Sequence, residues 1–396
     1  MGPQSGCSAP PPARRMKILH LVLGKADPER SNGQNRSVDG LVRAQRAAGA
    51  DVALWGLSPS PTAATPTRDY ELRLFRSSRQ RTQLTPELRA ALLALEPGTI
   101  VHFHGGYHPE FHAVARLLAQ REFAWVVTPH GAFRTAVARS AWIQKRAELE
   151  RVETRLLEEA RAVHVFSARE AEELRCCAPR ARLVVLQNGI DPRTLGPLAL
   201  RAGARSPLVF GFLGRLDAHT KGLDLLLAGF AHYVALGGTG LLALAGAGPD
   251  RAALRAQAQE LGLAARVRFP GELRGARQRA YRARLDVFVH PSRHEGMPLA
   301  LLEAAGSGLP CVLSRATNLD EAFERHGAGL VLDSTAPADI AAALSRCDEL
   351  ARAGELQALG CAARAMVQSD FDLARIGARS LALFYGVEAS AEAPAA

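Results

Sequence analysis

The feature that most constrains this chain is a strand–helix rhythm that runs once and then starts again. From Met16, KILHLVL reads as a continuous apolar strand, KADPERSNGQNRS as a polar loop, VDGLVRAQRAAGA as a helix by spacing, and DVALWGL as a second strand. TIVHFHG, FHAVARLLAQ, AWVVTPHG, an amphipathic stretch from about Arg139 to Ala160, AVHVFS and RLVVLQNG continue the alternation. After NGIDPRTLGPLALRAGARSP it restarts with LVFGFLGRL, GLDLLLAGFAHYVA, LLALAGAG, a helix around Arg251 to Gly262, RVRFPGEL, LDVFVHPS, a helix from about Pro298, and LPCVLS. Apolar strands separated by helices build parallel sheets covered on both faces, and such sheets bind ligands beyond their strand C-termini. The expectation is an α/β chain of two facing, doubly wound domains, hinged in the Pro- and Gly-rich stretch from Asp191 to Pro207, with a cleft between them.

A length of 396 residues suits about two domains of ~150 residues each. No apolar run approaches the ~18 residues of a membrane helix, so a cytoplasmic protein is expected. The first fifteen residues, MGPQSGCSAPPPARR, lack the apolar stretch of a secretory signal and read as a disordered tail, with Met16 as a second candidate start. The six cysteines form no CxxC pair and read as free thiols. The net charge of +10 points to a polyanionic partner, whether nucleic acid, an anionic membrane face or a phosphorylated small molecule. Only four lysines, Lys17, Lys25, Lys145 and Lys221, stand against 45 arginines, so much of that charge reads as codon bias.

Two segments carry the chemistry. In HPSRHEGMPLALLEAAGSGLPCVLS a strand ends at His290, a turn carries Glu295 and Gly296, and Pro298 opens a helix that contains Glu303. Glycine lets backbone amides approach a ligand, and a helix N-terminus offers unpaired N–H groups to phosphate. The two carboxylates could then reach hydroxyls on different parts of one polyol ligand; a carboxylate among LALL and AA needs a partner. In GFLGRLDAHTKGLDLLLAGF another strand, turn and helix places Arg215 and Lys221 on either side of a loop, a fork and a point charge suited to a diphosphate.

The run EGMPLALLE, with GRLDAHTKGLD, LAGAGP, FPGEL and the earlier TPHG, resembles the retaining glycosyltransferases of family four, which have the GT-B fold. The resemblance spans about Met16 to Tyr385. It implies transfer of a sugar from a nucleotide-diphosphate donor with the anomeric configuration kept. It further implies that Glu303 holds the ribose, that Arg215 and Lys221 hold the diphosphate, and that Glu295 with the backbone of Gly296, Met297, Pro298 and Leu299 holds the sugar and distal phosphate. His130 would face the donor sugar across the cleft. Gly33 would let the first helix approach the diphosphate; relatives carry Gly-Gly where this chain has Asn32 and Gly33. Gly214, Gly246 and Gly248 would belong to the donor side, His104 and Asn32 to the acceptor side. The implied organisation is a tail over 1–15, an acceptor domain over 16–195, a linker over 196–207, a donor domain over 208–370, a helix over 371–386 crossing back to the first domain, and a tail over 387–396.

The residue chemistry agrees with that reading. Breaking a glycosyl phosphate bond puts negative charge on the diphosphate, which fixed cations and helix amides stabilise without a metal or other cofactor. No carboxylate is an evident nucleophile once Glu303 is given to the ribose, so attack on the face the diphosphate leaves is expected. The expected activity is hexose transfer to a glycan or lipid-linked acceptor in polysaccharide or lipopolysaccharide assembly. The alternatives are an epimerase or hydrolase of the same fold, or an inactive sugar-nucleotide binder.

Three further features read as weaker. His102 and His104 of VHFHGGYHPEFH are expected on opposite faces of their strand, which disfavours a zinc site with His108 and His112. LAGAGPDR has Arg251 where a dinucleotide fingerprint needs its last glycine. The charges between Arg134 and Arg161 fall at helical pairing distances and read as a solvated face, with a membrane-surface patch around Trp142, Ile143 and Arg146 as the alternative. No nucleic-acid motif accompanies the arginines.

Overall fold

The computed structural model describes residues 16–27, 33–61, 68–132, 143–195 and 207–387. Of the tails and linker expected from sequence, only Pro207 and Val387 fall among them; Asn32, Arg134, Arg139 and Trp142 lie outside the described residues.

Two all-parallel sheets organise the chain. The first has seven strands: β1 (Lys17–Leu23), β2 (Asp51–Ser58), β3 (Glu71–Arg76), β4 (Ile100–His104), β5 (Trp125–Thr128), β6 (Ala162–Val165) and β7 (Leu183–Val185). Their spatial order is β3-β2-β1-β4-β5-β6-β7. The second comprises β8 (Val209–Leu213), β9 (Leu241–Ala245), β10 (Val267–Gly271), β11 (Val287–His290), β12 (Cys311–Ser314) and β13 (Gly329–Leu332), in the order β10-β9-β8-β11-β12-β13. In both, the order reverses beside the first strand, which opens a crevice between β1 and β4 and between β8 and β11. The central strands are β-branched and apolar because helices cover both of their faces; all four residues of VFVH in β11 are buried.

The element pattern differs from the expectation in two places. The first helix spans Gly33–Ala47, so GQNRS, taken from sequence as loop, is its opening turns. Its Asn35, Ser37 and Gln45 are buried, and a polar buried face carries no apolar periodicity. ELRLFR forms the edge strand β3, where charged residues alternate with Leu72, Leu74 and Phe75, and a helix over Pro86–Leu93 follows it.

The chain end packs on the first sheet. Ile190 N–H donates to Phe371 O at 2.9 Å and Leu373 N–H to Ile190 O at 3.0 Å, so the helix Leu373–Ser380 starts where the first domain ends. It crosses the Gly33–Ala47 helix at Gly377, where a Cβ would stand 2.4 Å from the Ala44 Cβ. The following turn, Leu381–Tyr385, buries Leu381, Phe384 and Tyr385 in one cluster with Ile18, Val22, Val38 and Val42. Burying a side chain the size of Phe384 contributes about 2 kcal/mol, enough with its neighbours to hold the segment there.

Candidate active site

A cavity of about 640 Å³ lies between the two sheets, lined by loops at the C-terminal ends of strands from both. It brings together Gly33, His130, Gly214, Arg215, Lys221, Gly246, Glu295, Gly296, Met297, Pro298 and Leu299. Three of the residues singled out from sequence stand elsewhere. Gly248 packs under the loop after β8, where a Cβ would meet Leu216 O at 2.2 Å. His104 is buried beneath His130 instead of facing the cleft. Glu303 sits beside the cavity and points toward the first domain.

Glu295 is the best-anchored group. Its Oε1 accepts from Lys221 Nζ at 2.5 Å, His290 Nε2 at 2.9 Å and Ser292 Oγ at 2.9 Å. Burial alone would raise its pKa, but the Lys221 charge and the His290 bond outweigh burial and hold it at about 2. Lys221 is placed by a short helix, Ala218–Lys221, whose N-cap Asp217 accepts from Thr220 N–H. Gly222 follows in the left-handed conformation. Arg215 is exposed at the cavity and makes no ion pair with any described residue. The helix Leu299–Gly306 begins at Pro298 with no side-chain cap, so its first N–H groups open on the cavity beside Leu299 and Ala300.

Glu303 does have the partners that its apolar surroundings require. Arg282 Nη1 donates to Oε2 at 3.0 Å, and Arg36, from the first turn of the opposite domain's first helix, pairs with Oε1. Burial, then repulsion from Arg36 and Arg279, lowers Arg282 to about 10. Arg36, Gln34 and Ser37 line the cavity and were not legible as site residues, because their segment read as loop.

One close approach between the domains is glycine on glycine. Gly131 has φ +73°, and a Cβ there would stand 2.8 Å from Gly296 N. The preceding His130 also has positive φ, 55°, a conformation that costs a non-glycine residue about 1 kcal/mol or more. Further cross-contacts are Arg169 to Asp320 at 2.8 Å and Asn188 N–H to Met297 Sδ at 3.3 Å.

Behind His130 the first domain holds a cluster that sequence reasoning misplaced. Residues i and i+2 of a strand share a face, so His102 and His104 stack, 4.2 Å between ring centroids, rather than diverging. With His20 they offer nitrogens within 4.8 Å of one another. Every ring nitrogen of these three is already hydrogen-bonded to a protein group, so the residues present fit a hydrogen-bond network better than a metal site. His108 and His112 stand apart, His112 against Glu153 at 2.8 Å. Described cysteines are all free thiols, and among the described residues no helix is long and apolar enough to cross a membrane.

Two paired parallel-sheet domains with a polar interdomain cavity define a GT-B architecture, and comparison with known proteins agrees. The chain belongs to the family-four, group 1 glycosyltransferases: the pattern of Glycosyltransferase Family 4 matches residues 31–194 and that of Glycosyl transferases group 1 matches residues 207–349. It is 29% identical over 394 residues to a glycogen synthase of Mycobacterium tuberculosis, covering 90% of this chain and 91% of that protein. It is 35% identical over 161 residues to EpsF of Bacillus subtilis, a match spanning 39% of this chain and 40% of that one. In fold it is similar to sucrose-phosphate synthase from Thermosynechococcus elongatus, with TM-score 0.75, 24% identity and coverage of 92% and 97% of the two chains. Anabaena HepE, solved with UDP-glucose, gives TM-score 0.71 at 18% identity over 92% of this chain and 98% of that one.

Proposed function

We propose that this glycosyltransferase is a retaining enzyme that moves a hexose from a nucleoside-diphosphate sugar to a glycan or lipid-linked acceptor in polysaccharide or lipopolysaccharide assembly. The observation that carries the proposal is the cationic end of the cavity. Arg215 and Lys221 stand with the uncapped start of the Leu299–Gly306 helix on one wall. A diphosphate gains charge as it leaves, and preorganised cations and amides stabilise it most at that moment. No metal ion or other cofactor is assigned a role. UDP-glucose in HepE, and the GDP-mannose of two mannosyltransferases to which the chain is similar, are donors of this class.

In the step proposed, the bond from the anomeric carbon to the distal phosphate oxygen breaks and its electron pair stays on that oxygen. The acceptor hydroxyl attacks on the same face, and its proton passes to the leaving phosphate. Glu295 is a poor nucleophile because three donors crowd one oxygen and it is held at about 2. Its role is to fix the Lys221 ammonium and receive sugar hydroxyls. Glu303 would take the ribose by exchanging Arg36 for the 2′ and 3′ hydroxyls. His130 faces the sugar, and the first domain supplies the acceptor groove.

The test is incubation with UDP-, GDP- and ADP-hexoses and glycan or polyprenyl-linked acceptors, reading nucleoside diphosphate release and product. Transfer that requires an acceptor supports the proposal. Donor turnover with no acceptor present favours the hydrolase or epimerase reading, and no turnover with any donor favours an inactive binder.

A further inference from the structure

The histidines behind the cavity form one hydrogen-bond network, and two backbone carbonyls at its ends fix the direction of every bond in it. Ser380 Oγ lies 2.6 Å from Gly377 O, which can only accept, so the serine proton is committed there. Whatever faces Ser380 Oγ from Gln45, at 2.8 Å, must therefore donate, which fixes the amide nitrogen on that side and Oε1 on the other. His20 Nε2, 2.8 Å from that Oε1, must carry a proton. His20 Nδ1 then accepts from His104 Nε2 at 2.9 Å, and His104 Nδ1 accepts from His130 Nε2 at 3.2 Å.

The second arm runs the same way. His164 Nε2 donates to Leu186 O at 2.7 Å, so its Nδ1 accepts from Thr128 Oγ1 at 3.0 Å. Thr128 in turn accepts from His102 Nε2 at 2.7 Å, and His102 Nδ1 accepts from Tyr385 OH at 2.6 Å. Tyr385 OH is 3.4 Å from the Gln45 amide nitrogen, which joins the arms. All five rings are thus Nε2-protonated. These directions hold with each ring neutral; a proton added at His20 Nδ1 would meet the His104 Nε2–H and require His104 and His130 to change tautomer with it.

We propose that His20, Gln45, His104 and Ser380 are positioning residues that fix His130 as a neutral imidazole protonated on Nε2. The nitrogen left for a ligand in the cavity is then Nδ1, an acceptor. Ser380 and Tyr385 belong to the C-terminal segment packed on the first sheet, so that segment sets the protonation pattern at the cavity as well as covering the core. Burial of all five rings acts in the same direction, holding His20 and His164 near 4 and His130 near 3. On the sugar-transfer reading, on which this clause alone rests, the ligand group meeting His130 donates a proton: a hydroxyl fits, and a carboxylate is repelled by the Nδ1 lone pair.

The experiment is long-range proton–nitrogen correlation on ring-labelled protein at pH 7.5, with no ligand, each ring assigned by substitution. The expected wild-type result is a single Nε2–H tautomer for His20, His102, His104, His130 and His164. Nδ1–H or an imidazolium at His20, His104 or His130 overturns the proposal. In Gln45→Leu, His20, His104 and His130 should collapse to averaged tautomer signals while His102 and His164, anchored at Leu186 O, keep theirs. An unchanged first arm in folded Gln45→Leu also overturns it. Ser380→Ala/Tyr385→Phe, which removes both acceptors from the Gln45 amide, gives the same decision on the first arm if Gln45→Leu does not fold. Absence of sugar transfer would refute the function proposed above and leave this pattern standing.

Discussion

Lys221→Met is the perturbation whose size follows most directly from the geometry. Lys221 and Glu295 are 19% and 10% exposed, and their 2.5 Å contact is the main reason Glu295 remains charged where burial opposes it. Moving a carboxyl from 4.5 to about 2 corresponds to about 3 kcal/mol of folded-state stability. That contribution is complete above pH 4.5 and disappears as pH falls through about 2. With the ammonium gone, only the His290 bond and charge oppose burial, the pKa rises, and the loss comes at higher pH. We expect Lys221→Met to destabilise the second domain by about 3 kcal/mol at pH 7, read as faster amide exchange in β11. Lys221→Met/Glu295→Gln should recover about 2 kcal/mol of that, because no charge is left buried without its partner. A change within about 0.5 kcal/mol, with an acid profile like the wild type, would refute the reasoning.

Other perturbations separate the remaining groups. Glu303→Ala should lower transfer at least about 100-fold without unfolding the chain, since it removes the proposed ribose acceptor; near-normal rates would displace Glu303 from the site. Arg215→Met should weaken nucleoside diphosphate binding about tenfold in calorimetry and leave the melting temperature unchanged, because this side chain has no described ion-pair partner. Gly131→Ala places a methyl 2.8 Å from Gly296 N at a positive φ, so kcat/KM should fall at least about tenfold. Full activity would show that this close approach is not used. Tyr385→Phe strips the donor from His102 Nδ1 and should cost about 1–3 kcal/mol, seen as a melting point several degrees lower.

The two α/β sets were legible because buried parallel strands announce themselves as apolar runs bounded by glycine loops, as KILHLVL and LDVFVHPS do. The edge strand β3 was missed for the complementary reason: half exposed, it carries Glu71, Arg73 and Arg76 between its apolar residues. The donor-side loops could be read because Arg215, Lys221, Glu295 and the Pro298 helix start lie within short continuous segments. Arg36 could not, since its significance depends on Glu303, 267 positions later and in the other domain. The histidine network was hidden for the same cause. Its members come from β1, the Gly33–Ala47 helix, β4, β5 and the turn after it, β6 and the C-terminal segment, and only the strand order β1-β4-β5-β6 brings the histidines side by side. Alternation applied correctly would have put His102 and His104 on one face. No spacing rule would have supplied Gln45 or Ser380.

The central claim, sugar transfer with retention from a nucleoside-diphosphate donor, is tested most directly by the anomeric proton coupling in the product. With an α-linked hexose donor and a glycan acceptor, the proposal predicts an α-linked product accompanied by one equivalent of released nucleoside diphosphate. A β-linked product would contradict it, while an α-linked product with a trapped glycosyl ester on Glu295 would keep retention and overturn the same-face step.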